Sequence, residues 1–307
     1  MTASVIIPHH KNGETLPRTL ESVRRAASGL DVEIVLVDDE VGHGLSWARN
    51  RGLERAKGDI VFFVDADDTV EEAFFAHPMA ELERSGADFC IFEYEQAPLK
   101  RDYNLEGNAA IREALLRAFL GYSFDDVRRW NAGGCLAENR EPGSVCRIAF
   151  RRGFIERYHI RFDENIFIYE DAPFFSECAL YATRVAALRE KLYNYLPNPN
   201  GIISTVTGSR KHWNYKFAAL EMRKRLDALS GGEAWRYCEA SAVFSALEML
   251  RLWRSAGLGP AEALRDLRRY LADSRVKDAL RRFPVSFSSH PLTAVAVGIL
   301  RIFAKCS

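Results

Sequence analysis

The first hundred residues alternate between short, almost continuous apolar runs and segments with helical periodicity. The apolar runs lie at residues 4–8, 32–37, 60–64 and 87–92. Between them, apolar side chains recur at the three- and four-residue intervals of an amphipathic helix. Strands that are apolar on both faces are typical of a parallel sheet covered by helices on both sides. The pattern therefore predicts an α/β fold with a mostly parallel sheet.

The character of the sequence changes after about residue 211. Four long, charged and amphipathic segments follow, at about 211–228, 233–256, 260–273 and 291–305. Glycine and proline separate these segments, as they do between helices. We predict an α/β domain over residues 1–208 and a helical region over residues 209–307.

Composition excludes several classes of protein. The chain has 42 basic and 42 acidic side chains, so its charge attracts neither nucleic acid nor an anionic membrane. Its six cysteines form no C-x-x-C pair, which argues against a zinc site and a disulfide framework. We see no signal peptide and no uncharged apolar run of about 20 residues. These features predict a cytoplasmic protein.

Carboxylates follow two of the predicted strands. Asp38 and Asp39 end one run, and Asp65, Asp67 and Asp68 follow another. The carboxyl ends of parallel strands meet at one edge of a sheet, where ligands bind. Gathered carboxylates repel each other, and a divalent cation shared with substrate phosphates would offset that repulsion. Alternatively, such aspartates only form turns or cap the next helix, an interpretation that suits Asp68 in particular.

Five segments, in this order along the chain, resemble successive sequence blocks of the family 2 glycosyltransferases, which have the GT-A fold. They are SVIIP at 4–8, EIVLVDD at 33–39, GLSWARNRG at 44–52, GDIVFFVDADD at 58–68 and IRFDENIFIYED at 160–171. The resemblance implies a nucleotide-sugar half at about 1–98 and an acceptor half at about 99–208.

The resemblance also implies roles for individual residues. The residues expected to bind the nucleotide-sugar are Pro8, His9, Asp38, Asp39, Arg49, Asp65, Ala66 and Asp67. Within this set, Asp65 is expected at the ribose, and Asp67 is expected to bind the Mg²⁺ or Mn²⁺ that bridges the two phosphates. Asp171 is the expected catalytic base, with Glu170 as its neighbour.

The chemistry of sugar transfer leads to the same role for Asp171. Inverting transfer needs one base to accept the proton of the attacking hydroxyl, while the diphosphate leaves on the opposite face. The metal neutralises the leaving group, so no protein acid is needed there. The alternative is that Glu170 and Asp171 only begin a helix, where acidic residues are favoured.

The predicted function is inverting transfer from a nucleotide-diphosphate sugar, with UDP as the expected nucleotide, to a saccharide or lipid-linked saccharide in cell-surface polysaccharide synthesis. Two departures from the family pattern leave open a non-catalytic nucleotide-sugar-binding module. Only Glu40–His43 separates Asp39 from Gly44, a shorter segment than the family usually has. Leu196 follows Tyr193 and Tyr195 at a place where the family often has an arginine. A phosphate-binding charge could instead come from residues 210–212, which equally could be the solvated start of a helix.

The predicted helical region leaves several partners open. Its helices could bind the acceptor, form a homodimer, or contact a membrane peripherally through residues 292–304. The membrane contact would place the protein at the inner face of the membrane. The simpler alternative is that this last helix packs on its own domain.

Overall fold

The computed structural model describes residues 1–10, 13–94, 98–141, 143–198, 205–206 and 208–305. Residues 199–204, which follow Leu196 in the segment where the family pattern has an arginine, lie outside the described residues. The chain forms two compact units, one of Met1–Leu115 with Glu141–Pro199 and one of Leu116–Arg140 with Asn200–Ser307. The predicted boundary at residue 208 stays a prediction, but the contacts assign Leu116–Arg140 to the helical unit rather than to the sheet.

The first unit is built on one sheet, for which eight strands can be defined among the described residues. The strands are β1 Ala3–His9, β2 Val32–Asp38, β3 Ile60–Phe63, β4 Thr69–Val70, β5 Phe89–Tyr94, β6 Leu105–Glu106, β7 Ile148–Arg151 and β8 Arg184–Asn194. Their order is β2-β1-β3-β7-β5-β8-β4, and β6 pairs with β8 outside this path.

The long pairings of the sheet are parallel. Strand β1 pairs in parallel with β2 and β3, and β5 pairs in parallel with β8. Strand β7 runs antiparallel between β3 and β5, and the two-residue strands β4 and β6 add antiparallel to β8. The predicted α/β class with a mostly parallel sheet is confirmed.

Twelve α-helices are defined among the described residues. They are α1 Leu16–Ala26, α2 Leu45–Arg55, α3 Ala76–Ser85, α4 Asn108–Phe119, α5 Phe124–Asn131, α6 Arg152–Arg157, α7 Asp171–Tyr181, α8 Arg210–Leu229, α9 Glu239–Leu252, α10 Pro260–Leu271, α11 Ser274–Arg282 and α12 Pro291–Lys305. Short 3₁₀ turns occur at Val145–Arg147 and Ala234–Tyr237.

The structure corrects three details of the predicted elements. A helix predicted to begin at Thr69 begins at Ala76, because the β-branched pair Thr69–Val70 joins β8 as strand β4. Arg161 and Phe162, predicted to be strand-like, lie outside the strands. The predicted helix at 233–256 is interrupted, with the 3₁₀ turn preceding α9.

Helix α2 packs unusually close to the sheet. A Cβ atom on Gly52 would lie 2.2 Å from Cγ2 of Ile6 on β1. Shortly after the helix, a Cβ atom on Gly58 would lie 2.3 Å from the carbonyl carbon of Ala3. Neither position has room for a side chain, so glycine sets the distance between this segment and β1.

The second unit has its own apolar core. Val243, Leu271, Leu280 and Val297 are fully buried in it, and residues of α5 join the same cluster. The amide of Tyr122 donates to the hydroxyl of Ser241, which ties the segment before α5 to α9. Across the described part of the chain, no helix combines the length and the apolarity needed to cross a membrane.

Candidate active site

Arg49 joins three carboxylates from separate segments of the first unit. Its Nη1 donates to Oε1 of Glu170 at 2.7 Å and to Oδ1 of Asp171 at 2.5 Å. Its Nη2 donates to Oδ1 of Asp65 at 2.9 Å. The Arg49 side chain is 1% exposed, and its guanidinium carbon lies 5.4 Å from the centre of the Phe162 ring. We call Arg49, Asp65, Glu170 and Asp171 the arginine cluster.

The local structure explains why these side chains meet. Asp65 follows β3 by two residues, at the carboxyl edge of the parallel strands. Asp171 is the first residue of α7, where the helix dipole favours a negative charge. Its Oδ2 also accepts a hydrogen bond from the amide of Val145 at 3.3 Å. Both Asp171 oxygens are therefore held, and the carboxylate has a fixed orientation.

Opposing effects set the protonation of Asp171. Burial raises the pKa of its carboxyl, Arg49 lowers it, and the charge of Glu170 raises it further. The resulting pKa of Asp171 is about 7. Burial lowers the pKa of Arg49, but Asp171 and Asp65 raise it well above the usual value. The arginine therefore stays charged, while Asp171 can gain or lose a proton near neutral pH.

The aspartates of the segment after β3 occupy different environments. Asp68 is buried, and its carboxylate accepts from the hydroxyl of Tyr193 at 2.6 Å and the amide of Leu196 at 2.7 Å. Burial, and then the charge of Asp65, raise its pKa to about 7. Ala66 is buried, and its carbonyl accepts from the hydroxyl of Thr19. Asp68 therefore does not cap the next helix, which begins at Ala76; its carboxylate ties the segment after β3 to Tyr193 and Leu196.

Asp67 is the aspartate that best fits a metal ligand. It is half-buried, and its Oδ2 accepts from the side-chain amide of Asn198 at 2.9 Å. Its Oδ1 makes no hydrogen bond to the described residues. No group of three metal-type side chains is assembled within the described ranges. A hard cation at Asp67 would therefore take further oxygens from substrate phosphates or water, as Mg²⁺ commonly does.

The end of β2 forms a tight loop around Asp39. Oδ1 of Asp39 accepts from the amides of Gly42 and His43, and Oδ2 accepts from the amide of Gly44 at 2.7 Å. Burial raises the pKa of this carboxyl, but the bonds from Gly44 and His43 bring it below its ordinary value. The Asp39 carboxylate therefore fixes the conformation of the short segment between Asp39 and Gly44.

The remaining predicted nucleotide residues line the same end of the first two strands. Pro8 is buried in β1 opposite Val37, and His9 follows it, with Nε2 3.7 Å from Oδ1 of Asp38. Their predicted role at the nucleotide base stays a prediction. Oδ2 of Asp39 accepts one hydrogen bond, from the amide of Gly44, and a carboxylate oxygen can accept a second one.

Sequence reasoning placed Arg49 near the nucleotide base and missed its bonds to the carboxylates. A signal was present in the sequence, since Ala48, Gly52 and Leu53 put Arg49 on the buried side of α2. A buried arginine needs acidic partners. Tyr193 and Asn198, which bond the aspartates after β3, were not singled out as site residues.

The residues suggested as phosphate ligands at 210–212 have partners in the helical unit. Arg210 pairs with Glu262, and the ring of His212 accepts from the amide of Gly208. Whether they also reach a phosphate stays a prediction.

The family model and the curated relatives that match this chain point to the same family. The model of the "Glycosyl transferase family 2" matches residues 4–41 and 40–135. The glycosyltransferase EpsJ of Bacillus subtilis is 29% identical over 228 residues, covering 65% of this chain and 62% of EpsJ. The succinoglycan biosynthesis protein ExoO of Rhizobium meliloti is 25% identical over 193 residues, covering 54% of this chain and 52% of ExoO. The chain thus spans less than two thirds of both relatives.

Solved structures share the fold. Staphylococcus aureus TarS 1-349, in complex with UDP-GlcNAc, aligns with a TM-score of 0.58 at 15% identity, covering 100% of this chain and 92% of the TarS chain. At this identity the similarity concerns the fold alone. The family match over residues 4–135, the curated relatives and the shared fold agree: the chain is similar to the family 2 glycosyltransferases and has a GT-A fold.

Proposed function

We propose that the chain transfers a sugar from a nucleotide diphosphate to a hydroxyl of a saccharide acceptor, with inversion at the anomeric carbon. The observation that carries this proposal is the arginine cluster. It holds a carboxylate that titrates near neutral pH close to the aspartates after β3, in a chain similar to the family 2 glycosyltransferases.

Asp171 would be the base. As the acceptor oxygen forms its bond to the anomeric carbon, its proton passes to the Asp171 carboxylate, and the bond from that carbon to the diphosphate breaks. Only one catalytic carboxylate is needed, unlike in a glycosidase, where two carboxyl groups flank the bond. Glu170 and Arg49 would keep Asp171 oriented and would not touch the acceptor.

The donor would be a UDP-sugar bound at the carboxyl ends of β1, β2 and β3. The TarS complex with UDP-GlcNAc, which has the same fold, supports this choice of nucleotide. Asp65 would contact the ribose, and Asp67 would hold Mg²⁺ or Mn²⁺. That ion would neutralise the charge on the departing diphosphate.

The acceptor would be a growing cell-surface polysaccharide or its lipid-linked precursor. The name of ExoO places that relative in succinoglycan biosynthesis, which supports a polysaccharide acceptor here.

A transfer assay with a substitution at Asp171 tests the proposal. Purified protein is incubated with UDP-sugars and Mn²⁺, and release of UDP is followed with and without saccharide acceptors. Asp171→Asn should lower turnover by about 10²–10⁴-fold, because the base is lost. Donor binding, measured by calorimetry, should be retained.

Glu72→Gln is the matched control, because Glu72 is an exposed carboxylate of the same unit, and it should leave turnover unchanged. Turnover by Asp171→Asn at the wild-type rate would reject Asp171 as the base. Metal-dependent nucleotide binding without turnover on any donor would favour the non-catalytic alternative.

A further inference from the structure

Tyr169, two residues before the proposed base Asp171, has a left-handed backbone. Its φ is 57°, and His159, at 52°, is the other non-glycine residue with a positive φ in the described part of the chain. His159 directly follows Tyr158, which closes α6, and a left-handed residue is common after a helix. Tyr169 instead precedes a helix, where the backbone is ordinarily extended. Because this conformation is unfavourable for a bulky residue, Tyr169 needs a separate explanation.

The segment that contains Tyr169 is tied to helix α2 on both sides. Before Tyr169, the hydroxyl of Ser46 donates to the carbonyl of Ile166 at 3.1 Å. After it, Nη1 of Arg49 donates to Oε1 of Glu170 at 2.7 Å. These bonds leave the segment little freedom to relax, and a strained conformation persists only where its surroundings enforce it.

The Tyr169 side chain is exposed, although it lies between two buried residues. It is 45% exposed, whereas Ile168 is 4% and Glu170 is 6% exposed. The protein thus forgoes both a relaxed backbone and the burial of an aromatic ring at one position, within two residues of Asp171. Such strain is found mainly at sites that bind ligands, which indicates a ligand for this ring.

We propose that the ring of Tyr169 forms one side of the acceptor site and stacks on the sugar whose hydroxyl attacks the donor. One face of a pyranose presents C–H groups, which pack on an aromatic ring, while its hydroxyls stay free for polar partners. A sugar held on Tyr169 would bring one hydroxyl to the carboxylate of Asp171, two residues along the chain. This inference rests on the proposed transfer, because it takes Asp171 as the base and a saccharide as the acceptor.

The substitution Tyr169→Asn tests the inference. Asparagine adopts the left-handed conformation more readily than most side chains, so the variant removes the ring and keeps the backbone. The full chain is assayed for transfer from a UDP-sugar over a range of saccharide acceptor concentrations. We expect the KM for the acceptor to rise at least about tenfold, because the stacking area is lost. The KM for the donor, and the release of UDP without acceptor, should stay at the wild-type values.

Two control variants separate the ring from the backbone. Tyr169→Phe keeps the ring and should keep the wild-type KM for the acceptor. His159→Asn is the matched backbone control, because His159 is exposed and left-handed as well, and it should leave all kinetic constants unchanged. An unchanged KM for the acceptor in Tyr169→Asn would overturn the inference, as would an equal loss in Tyr169→Phe. A rise in the KM for the donor alone would overturn it too, by assigning the ring to the donor sugar.

A binding experiment without turnover distinguishes this inference from the proposed function. Saturation-transfer NMR with methyl β-glucoside and methyl β-galactoside as probes reports contact between a pyranose and the protein. We expect saturation of the C–H groups of a probe by the wild type and by Tyr169→Phe, and its loss in Tyr169→Asn. If this pattern appears in a protein that transfers no sugar, the proposed function fails and the saccharide site at Tyr169 stands. A probe that Tyr169→Asn saturates as the wild type does would reject the site, even if transfer is observed.

Discussion

Nη1 of Arg49 lies 2.5 Å from Oδ1 of Asp171, although the two residues are 122 positions apart in the chain. The guanidinium is buried, so its charge is little screened by water and acts strongly on the carboxylate. Burial alone would keep Asp171 protonated, and Arg49 counteracts this. The contact therefore sets both the orientation and the protonation of the proposed base.

Arg49→Met should destabilise the protein strongly. It would leave Glu170 and Asp171 facing each other in a buried place without a cation, and losing one partner of a buried ion pair typically costs about 3–5 kcal/mol. Chemical denaturation measures the loss. Arg49→Lys should recover part of the lost stability, because it keeps a positive charge. The recovery should be incomplete, because an ammonium lacks the planar donor geometry with which the guanidinium bonds the three carboxylates.

Arg51→Met is the control for Arg49, since Arg51 lies on the same helix but is only half-buried and pairs with Glu54. Its effect should stay within about 1 kcal/mol. Equal losses for Arg49→Met and Arg51→Met would contradict a special place for Arg49.

The rate of transfer should depend on pH through Asp171. Its pKa is about 7 in the free protein, and the base must be ionised to accept a proton. We expect kcat/KM to fall about tenfold per pH unit below pH 7 and to level off above it. Circular dichroism at each pH controls for unfolding, and a flat profile from pH 5.5 to 8 would refute the assignment.

The same raised pKa makes the folding stability fall with rising pH, whereas the rate of transfer rises with pH. The contribution of the protonated carboxyl is fully present below the ordinary pKa of 3.8 and is lost as the pH rises through about 7. Asp171→Asn should therefore make the unfolding free energy less dependent on pH between 5 and 8, as measured by urea titration. An unchanged pH dependence would mean that Asp171 ionises in the folded protein as it does in the unfolded chain.

Asp39→Asn should open the loop after β2. The amide would place a donor next to one of the backbone amides that the carboxylate now accepts from, which we expect to cost about 1–3 kcal/mol. Differential scanning calorimetry would record a lower melting temperature. The stabilisation by Asp39 should be present above the ordinary pKa of 3.8 and be lost as the pH falls through its lowered pKa.

Asp38→Asn is the control for Asp39, because the Asp38 side chain is exposed and its Oδ1 lies 3.7 Å from Nε2 of His9. It should change the melting temperature little. If both substitutions lowered it equally, the loop would not depend on the Asp39 carboxylate.

Asp67→Asn should remove the metal dependence of donor binding. Calorimetry with UDP should show tighter binding with Mn²⁺ for the wild type and little effect of Mn²⁺ for the variant, because one charged oxygen ligand is lost. Glu71→Gln, a substitution of a nearby exposed carboxylate, should keep the wild-type response to Mn²⁺. A variant at Asp67 that still binds UDP more tightly with Mn²⁺ would show that the ion is held elsewhere.

The sequence predicted the local part of the fold well. Strands β1 and β3 are buried apolar runs, and such signals depend only on neighbouring residues. Two details were wrong: Pro8 lies inside β1 instead of ending it, and β2 is a half-buried edge strand on which Leu36 is exposed. The start of α7 at Asp171 was likewise expected from the acidic pair before an apolar segment. These elements bring the predicted residues Asp65, Glu170 and Asp171 together.

Long-range pairing was less predictable. Strand β7 has four residues and enters the sheet antiparallel between β3 and β5, a position that depends on contacts far apart in sequence. The same holds for the segment 116–140, which packs with helices more than a hundred residues later. The hydrogen bonds of Arg49 also arise only after the fold has brought β3 and α7 beside α2.

The close packing of Gly52 against β1 determines where the Arg49 side chain lies. The glycine lies three residues after Arg49 in α2, so both project from nearly the same side of the helix. A methyl group there would act as a wedge against Ile6, and the helix could relieve the clash only by lifting or turning. The guanidinium would move with it, away from the carboxylates. The lack of a side chain at Gly52 thus allows α2 to hold the charge of Arg49 at the candidate active site.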